Sequence, residues 1–198
     1  MPPDVPADAV SAVAPADADK ANATILLAFS ADPMTRWTLP DAARYLAVFP
    51  RLAHAFGSKA FGLGTAYQVD DYSGAALWLP PGTGPDEEAL VSIFREAAPP
   101  EVQADGFGVF EQMAAYHPKE PHWYLPLIGV DPARQGRGLG SALLAHALRR
   151  CDEDRAPAYL ESSNPTNIPL YERHGFRVLG EIRVGSSPVL TPMLRPAR

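Results

Sequence analysis

One cysteine in 198 residues, Cys151, has no partner inside the chain. An internal disulfide framework is therefore excluded, and the composition suits a reducing compartment. No apolar run approaches the roughly 20 residues that a membrane-spanning helix needs. The opening Met1, Pro2, Pro3, Asp4, Val5 and Pro6 lacks the basic and apolar regions of a secretory leader, so a cytoplasmic protein with no membrane partner is expected. Basic charge is short too: 17 Lys and Arg stand against 23 Asp and Glu, for a net charge of −6. That balance argues against nucleic acid and favours a cationic partner, although mild acidity is common among cytosolic proteins. No Gly-Lys-Ser/Thr triplet occurs, which removes the P-loop.

What is present is ordinary globular chemistry, with 46% hydrophobic and 20% charged residues, and 22 prolines scattered as punctuation between periodic segments. Residues 1–8 read as a flexible tail and 9–198 as one domain large enough to bury a core. Helical spacing is expected from Pro15 to about Phe29, stopped by Ser30 to Pro33, and again from Pro40 to Phe56, where Pro50 predicts a kink or break. Residues 61–68 and 75–79 read as two strands around a turn at 70–74, and residues 10–14 as a short first strand. Helices at 85–97 and 107–116 precede a strand at 122–130. After a helix from Leu139 come a strand at 158–162, a short helix at 169–174 and a closing strand pair at 177–183 and 189–194. Helices and strands interleave, with antiparallel hairpins at both ends and a strand–loop–helix–strand unit in the middle, which is the order of a mixed sheet covered by helices.

The chain is organised around Ile128, Gly129, Val130, Asp131, Pro132 and the loop that follows. Gly136, Gly138 and Gly140 stand at alternate positions and lead directly into an apolar-periodic helix. Such a loop lets backbone approach a ligand without Cβ atoms in the way, and the helix start supplies free N–H groups and the positive dipole end. That is a phosphate seat. It is not the dinucleotide fingerprint, because the third glycine's place falls on Ser141 or Leu143. A glycine-rich turn capping a core helix is the plainer alternative.

Gln135-x-x-Gly138-x-Gly140 after Val130-Asp131-Pro132, followed about 30 residues later by Asn167-x-x-x-Tyr171-x-x-x-Gly175-Phe176, resembles the GNAT family of N-acetyltransferases. Residues 117–178 are similar to its puromycin-acetylating branch. The resemblance implies a mixed, mostly antiparallel twisted sheet with splayed central strands, flanked by helices. It implies acetyl-CoA as co-substrate, held by Ile128, Gly129, Val130, Gln135, Gly136, Arg137, Gly138, Leu139, Gly140 and Ser141, with Asn167 and Tyr171 beside the pantetheine. The acceptor it implies is a primary amine of a small molecule. A protein α-amine or lysine, or a non-catalytic acyl-CoA-binding module, stays open beside it, as does a homodimer.

An alkyl ammonium with a pKa of about 10.4 must lose a proton before it attacks a thioester, so a base is needed, and the leaving thiolate is helped by an acid. The resemblance assigns the acid to Tyr171, against simple packing, and the base to Glu161, against a carboxylate paired with an arginine. It gives the polarisation of the thioester carbonyl to backbone N–H around Val130. Asn167 bonds the pantetheine or caps the next helix. Phe29, Arg36, Trp37, Tyr67 and Trp78 lie where the family builds its acceptor pocket, against a reading as ordinary core. No metal is expected, since His117 and His122 have no further ligands near them in sequence. Cys151 follows two arginines and is either a lowered-pKa thiol or a structural cysteine at a helix end.

Overall fold

The computed structural model describes Val5 and residues 9–198. The tail expected at residues 1–8 lies, Val5 apart, outside the described residues. Seven strands form one sheet: β1 (Val10–Ala12), β2 (Ala66–Val69), β3 (Gly74–Leu79), β4 (Trp123–Val130), β5 (Ala158–Ser162), β6 (Arg177–Val178) and β7 (Thr191–Arg195), in the spatial order β1-β2-β3-β4-β5-β7-β6. Every neighbouring pair is antiparallel except β4 and β5. Only a crossover can join parallel neighbours, and the glycine loop with helix α7 (Leu139–Glu153) supplies it.

Strand alternation sorts the core onto two faces. Ala75, Leu77 and Leu79 of β3 pack with Tyr124, Leu127 and Tyr159 beneath α1 (Ala18–Ala28), α3 (Ala42–Gly57) and α5 (Glu87–Ala97). Ala76 and Trp78 pack on the opposite face with Trp123, Leu125 and Leu160 beneath α7. Tyr124 and Leu127 share a face although three positions apart, so one extra residue sits between them. The register shows it: Leu77 pairs with Leu127 and Leu79 with Tyr124, which sets Leu125 and Pro126 opposite Trp78 alone. This is a β-bulge, and Pro126, which has no N–H to give a ladder, occupies it.

The bulge is where the sheet opens. The β4–β5 ladder contains Trp123 with Ala158 and Tyr124 with Tyr159, and no pair after them. The splayed central strands expected from the resemblance are therefore present.

Local sequence explains several boundaries. Pro33 both ends α1's run and starts α2 (Pro33–Thr38), a helix the sequence reading lacked, with Asp32 as N-cap accepting from the Thr35 N–H at 2.9 Å. Helix α3 runs through Pro50 without a break; Pro50 is exposed, as is Leu46, whose carbonyl loses its helical donor and faces water. The strand expected at residues 61–68 is half wrong. Lys59–Leu63 forms helix α4, stopped by Gly64 at φ 67°, and only then does β2 begin. Helix α6 (Pro100–Tyr116) starts seven residues before the predicted 107, with Pro100 in its first turn. Among the described residues no helix is long and apolar enough to cross a membrane.

Candidate active site

A cleft of about 780 Å³ runs from the glycine loop through the gap between β4 and β5 to the ends of α1, α3, α5 and α6. Its coenzyme end is made of backbone. Asp131 donates its N–H to Ser73 at 2.9 Å, so the hydrogen-bonded partners of β3 and β4 are Ser73/Asp131 and, by alternation, Ala75/Gly129 and Leu77/Leu127. The N–H groups of Ile128 and Val130 therefore point the other way, into the gap where β5 has left the ladder. Val130 already has its carbonyl bonded by the Gln135 side chain, at 3.3 Å. Beyond it, Gly136 and Gly138 adopt φ 75° and 83°, a left-handed backbone that a side chain strains, and α7 begins with no side-chain cap. The uncapped N–H groups and the dipole of a 15-residue helix thus converge on the cleft. These donors fit an anionic phosphate.

Of the residues expected to hold the coenzyme, Arg137 does not line this cleft, whereas Ile128, Gly129, Val130, Gln135, Gly136, Gly138, Leu139, Gly140, Ser141, Asn167 and Tyr171 do. Arg137 is exposed on the far side of the loop. Gly129 serves packing as well, because a Cβ there would lie 2.5 Å from that of Ala28 in α1. Ser141 is tied at 2.8 Å to His174, which joins the start of α7 to the end of α8 (Ile168–Arg173). Asn167 holds the N-cap position of α8 but makes no capping bond, so its exposed side chain is left to the cleft.

At the centre lie Glu161 and Tyr171. The Glu161 side chain is only 4% exposed; its Oε2 accepts from the Tyr124 hydroxyl at 2.8 Å, while Oε1 is buried with no hydrogen-bond partner. Nδ1 of His117 stands 3.9 Å from that Oε1. No arginine pairs with Glu161 among the described residues. His117 Nε2 meets His122 Nε2 at 3.0 Å, and His122 Nδ1 lies 2.8 Å from the Glu120 carbonyl. A carbonyl only accepts, so Nδ1 of His122 carries the hydrogen. Burial holds His122 below the usual imidazole range, hence neutral, and its Nε2 accepts from Nε2–H of His117. Nδ1 of His117 faces Glu161. The nearby Tyr159 hydroxyl is buried without a partner; burial, and then the Glu161 charge, push its pKa up.

Tyr171 is buried, and its pKa is raised by burial and, secondarily, by Asp32. Asp32 is itself committed, its Oδ1 to the Thr35 N–H and its Oδ2 to the Ser163 hydroxyl at 2.5 Å. Counting along β5 from the Tyr124/Tyr159 pair sets Glu161 level with Pro126, four residues before Val130. At about 3.3 Å per residue that is on the order of 13 Å. The Val130 N–H expected to polarise the thioester carbonyl is therefore remote from the carboxylate expected to act as base.

The acceptor end is made of side chains. Phe29 and Trp37 line it, but three residues grouped with them do not. Arg36 turns away to lie 5.3 Å over the Tyr45 ring and donates to the Pro40 carbonyl. Tyr67 packs edge-on against His146 on the α7 face, and Trp78 is fully buried on that same face. Strand alternation put both aromatic rings on the wrong side of the sheet. In their place stand Phe49 and Phe56 from α3, Phe94 from α5 and Phe110 from α6, with Met34 and Met113. No signal at short range marked them, since each reads as the apolar stripe of its own helix. Tyr124, His117 and His122 were also missed as site residues, though the strand position of Tyr124 was readable.

Cys151 is not a lowered-pKa thiol. It is fully buried against the Ala147 carbonyl, and burial pushes it up to about 12. Among the described residues no group of three or more His, Cys, Asp or Glu could hold a metal ion.

Residues 89–176 match the profile of the Acetyltransferase (GNAT) family. An uncharacterized N-acetyltransferase of Schizosaccharomyces pombe is 32% identical over 127 residues, covering 57% of this chain and 51% of that protein. The mycothiol acetyltransferase of Acidothermus cellulolyticus is 42% identical over 67 residues, 32% of this chain and 20% of that protein. The chain thus spans about half the length of the first relative and a fifth of the second. A solved structure described as histone acetyltransferase HPA2 and related acetyltransferase from Corynebacterium glutamicum superimposes with a TM-score of 0.67 at 29% identity, over 100% of this chain and 98% of that one.

Proposed function

The chain belongs to the acetyltransferase (GNAT) family, and from that premise we propose that it transfers an acetyl group from acetyl-CoA to a primary amine of a small molecule. One observation carries the reading: a single cleft joins an uncapped helix start behind two left-handed glycines to a buried carboxylate with a free oxygen and to Tyr171. The phosphate end is the place for the coenzyme's pyrophosphate, and the N–H groups of Ile128 and Val130 are free to bond the pantetheine as an added strand would. The coenzyme supplies an activated acyl group on sulfur.

The remaining work falls to side chains. Glu161 binds the incoming ammonium and takes its proton through Oε1, freeing the nitrogen lone pair to attack the thioester carbonyl carbon. From Glu161 the proton moves to Nδ1 of His117, which is half-buried and opens a route to water, while His122 orients the ring. As the carbon–sulfur bond breaks, the sulfur takes the electron pair and the Tyr171 hydroxyl faces it. A thiolate with a pKa of about 8.5 is a weaker base than an ordinary tyrosinate near 10, and burial widens that gap. Tyr171 therefore acts chiefly as a hydrogen-bond donor that stabilises the thiolate.

The test is free-thiol release from acetyl-CoA with a panel of primary amines, with the N-acetyl product identified by mass spectrometry. Stoichiometric thiol and product are expected. Tight binding of acetyl-CoA with no acetylated amine would return the protein to a non-catalytic acyl-CoA-binding role.

A further inference from the structure

Among the described residues, the acceptor end of the cleft carries negative charge only. Its two carboxylates are Asp32 and Glu161, and both oxygens of Asp32 are occupied, by the Thr35 N–H and the Ser163 hydroxyl. Glu161 alone offers a free oxygen. Among the described residues the only cations lining the cleft, Arg134 and Arg173, lie at the phosphate end, one just before the glycine loop and one at the end of α8. Beyond the carboxylates, away from the glycine loop, the walls are largely aromatic. Phe29 and Phe49 lie tilted against each other at 5.4 Å on one side, and Phe94 meets Phe110 edge-to-face at 5.2 Å on another. Trp37 and Phe56 fill the space between, and the Trp37 N–H is already given to Ser186.

We propose that the acceptor is an arylalkyl monoamine: one aliphatic primary amine on a flat aromatic body, with no carboxylate and no second cationic group. The inference rests on the acetyl-transfer reading above and sharpens its substrate class. Each excluded class fails on a specific group. The far ammonium of a diamine would leave water for phenyl faces, whose attraction for a cation falls short of the hydration lost. An amino acid's carboxylate would meet no cation at this end and would stand near Glu161 and Asp32. A peptide would bring several backbone N–H and C=O groups against walls that are largely aromatic. An aromatic ring, in contrast, loses nothing by burial there and gains its full apolar transfer.

The protein is given 2-phenylethylamine, 1,4-diaminobutane and phenylalanine, and two quantities are measured for each. These are kcat/KM for N-acetyl product from acetyl-CoA, and calorimetric affinity for the protein saturated with CoA. A preference of at least about tenfold for 2-phenylethylamine in both is expected, the scale on which an apolar pocket discriminates. Equal or better use of the diamine or of phenylalanine overturns the substrate class and leaves acetyl transfer standing. Selective binding of 2-phenylethylamine with no product from any amine upholds the class and defeats acetyl transfer instead. If CoA binds and none of the three amines does, the proposal is wrong.

Discussion

The two ends of the cleft are built on different principles. The coenzyme end offers backbone: N–H groups of Ile128 and Val130, glycines at φ 75° and 83°, and the uncapped start of α7. All of it comes from one continuous stretch between Ile128 and Ser141, because a strand, a loop and a helix in sequence are enough to aim amide groups at one point. The acceptor end offers side chains drawn from α1's end, α2, α3, α5 and α6, elements spread over more than 80 residues of sequence between Phe29 and Phe110. A backbone site tolerates changes of side chain and is spoiled by a change of dihedral. A side-chain site is the reverse. Substitutions at the two ends should therefore separate coenzyme binding from amine selection.

The largest separation is expected at Gly138. Valine there must hold a φ of 83°, which is a genuine outlier for a β-branched residue. Strain together with two lost charge-assisted hydrogen bonds comes to roughly 4 kcal/mol, or about 10³-fold in affinity. Gly138→Val should abolish measurable acetyl-CoA binding in calorimetry while circular dichroism shows a folded protein. Retained affinity would remove the phosphate site from this loop.

Tyr171 and Glu161 sit where the two ends meet, and their loss should slow chemistry without touching coenzyme binding strongly. Tyr171→Phe keeps the ring that packs on Phe176 and removes the donor, so kcat should fall about 10²-fold, the usual scale for one donor to a developing anion. Glu161→Gln should cost about as much, through loss of the base, and should also weaken binding of the cationic amine. If Tyr171→Phe turns over at the parental rate, the hydroxyl is packing only and water protonates the thiolate.

The same division explains what could be read from the sequence. Gly136, Gly138 and Gly140 before an apolar helix announce a phosphate seat because local backbone alone makes one, and Asn167 to Phe176 is equally local. Even the opening of the sheet had a local mark in Pro126, which cannot sit in a central ladder. The aromatic walls had none. Phe49, Phe56, Phe94 and Phe110 become a pocket only when α3, α5 and α6 meet over one face, and in sequence each is a core residue of its own helix. Tyr67 and Trp78 were misplaced for the converse reason: aromatic character was visible, but which face of the sheet each strand residue takes depends on register. Phe61, Leu63 and Thr65 alternate with glycines in a way that imitates a strand, although Gly64 in the left-handed region ends a helix there. The His117 and His122 pair was considered only as a metal site, because the contact that matters, with Glu161, spans 44 residues.

A smaller effect, confined to the acceptor end, is expected from Gly106. A Cβ on this residue of α6 would overlap the Phe94 ring, which in turn lines the cleft. Gly106→Ala should push that ring into the cleft and raise KM for a bulky aromatic amine about tenfold, with KM for acetyl-CoA unchanged. Overpacking of this kind costs about 1–3 kcal/mol of stability, so thermal melts belong beside the kinetics. An equal rise in both KM values would show that the two ends are not independent.

The least effect tests whether the two ends share their response to acid. Each has one half-buried histidine held below the usual range: His122 beside His117 and Glu161, and His174 beside Ser141, Arg173 and Arg195. Burial is the main cause for both; the charges of Arg173 and Arg195 add to it at His174, and at His122 the pull of Glu161 and Glu120 only partly offsets it. A lowered folded pKa means that the unfolded chain binds more protons once pH falls below the ordinary histidine value of about 6.5. Stability is therefore full above that value and declines as pH falls from it toward the folded pKa values. The melting temperature should drop by roughly a few degrees between pH 7.5 and 5.5, and His122→Gln and His174→Gln should each flatten part of the drop. His174→Gln can keep the bond to Ser141, so its effect should be confined to the slope, with coenzyme affinity nearly unchanged at pH 7.5. His122→Gln should also slow turnover, since the orientation of His117 depends on it. A melting temperature insensitive to pH over this interval would mean that neither imidazole is held neutral by the fold, and the hydrogen bond that His122 accepts from His117 would lose its support.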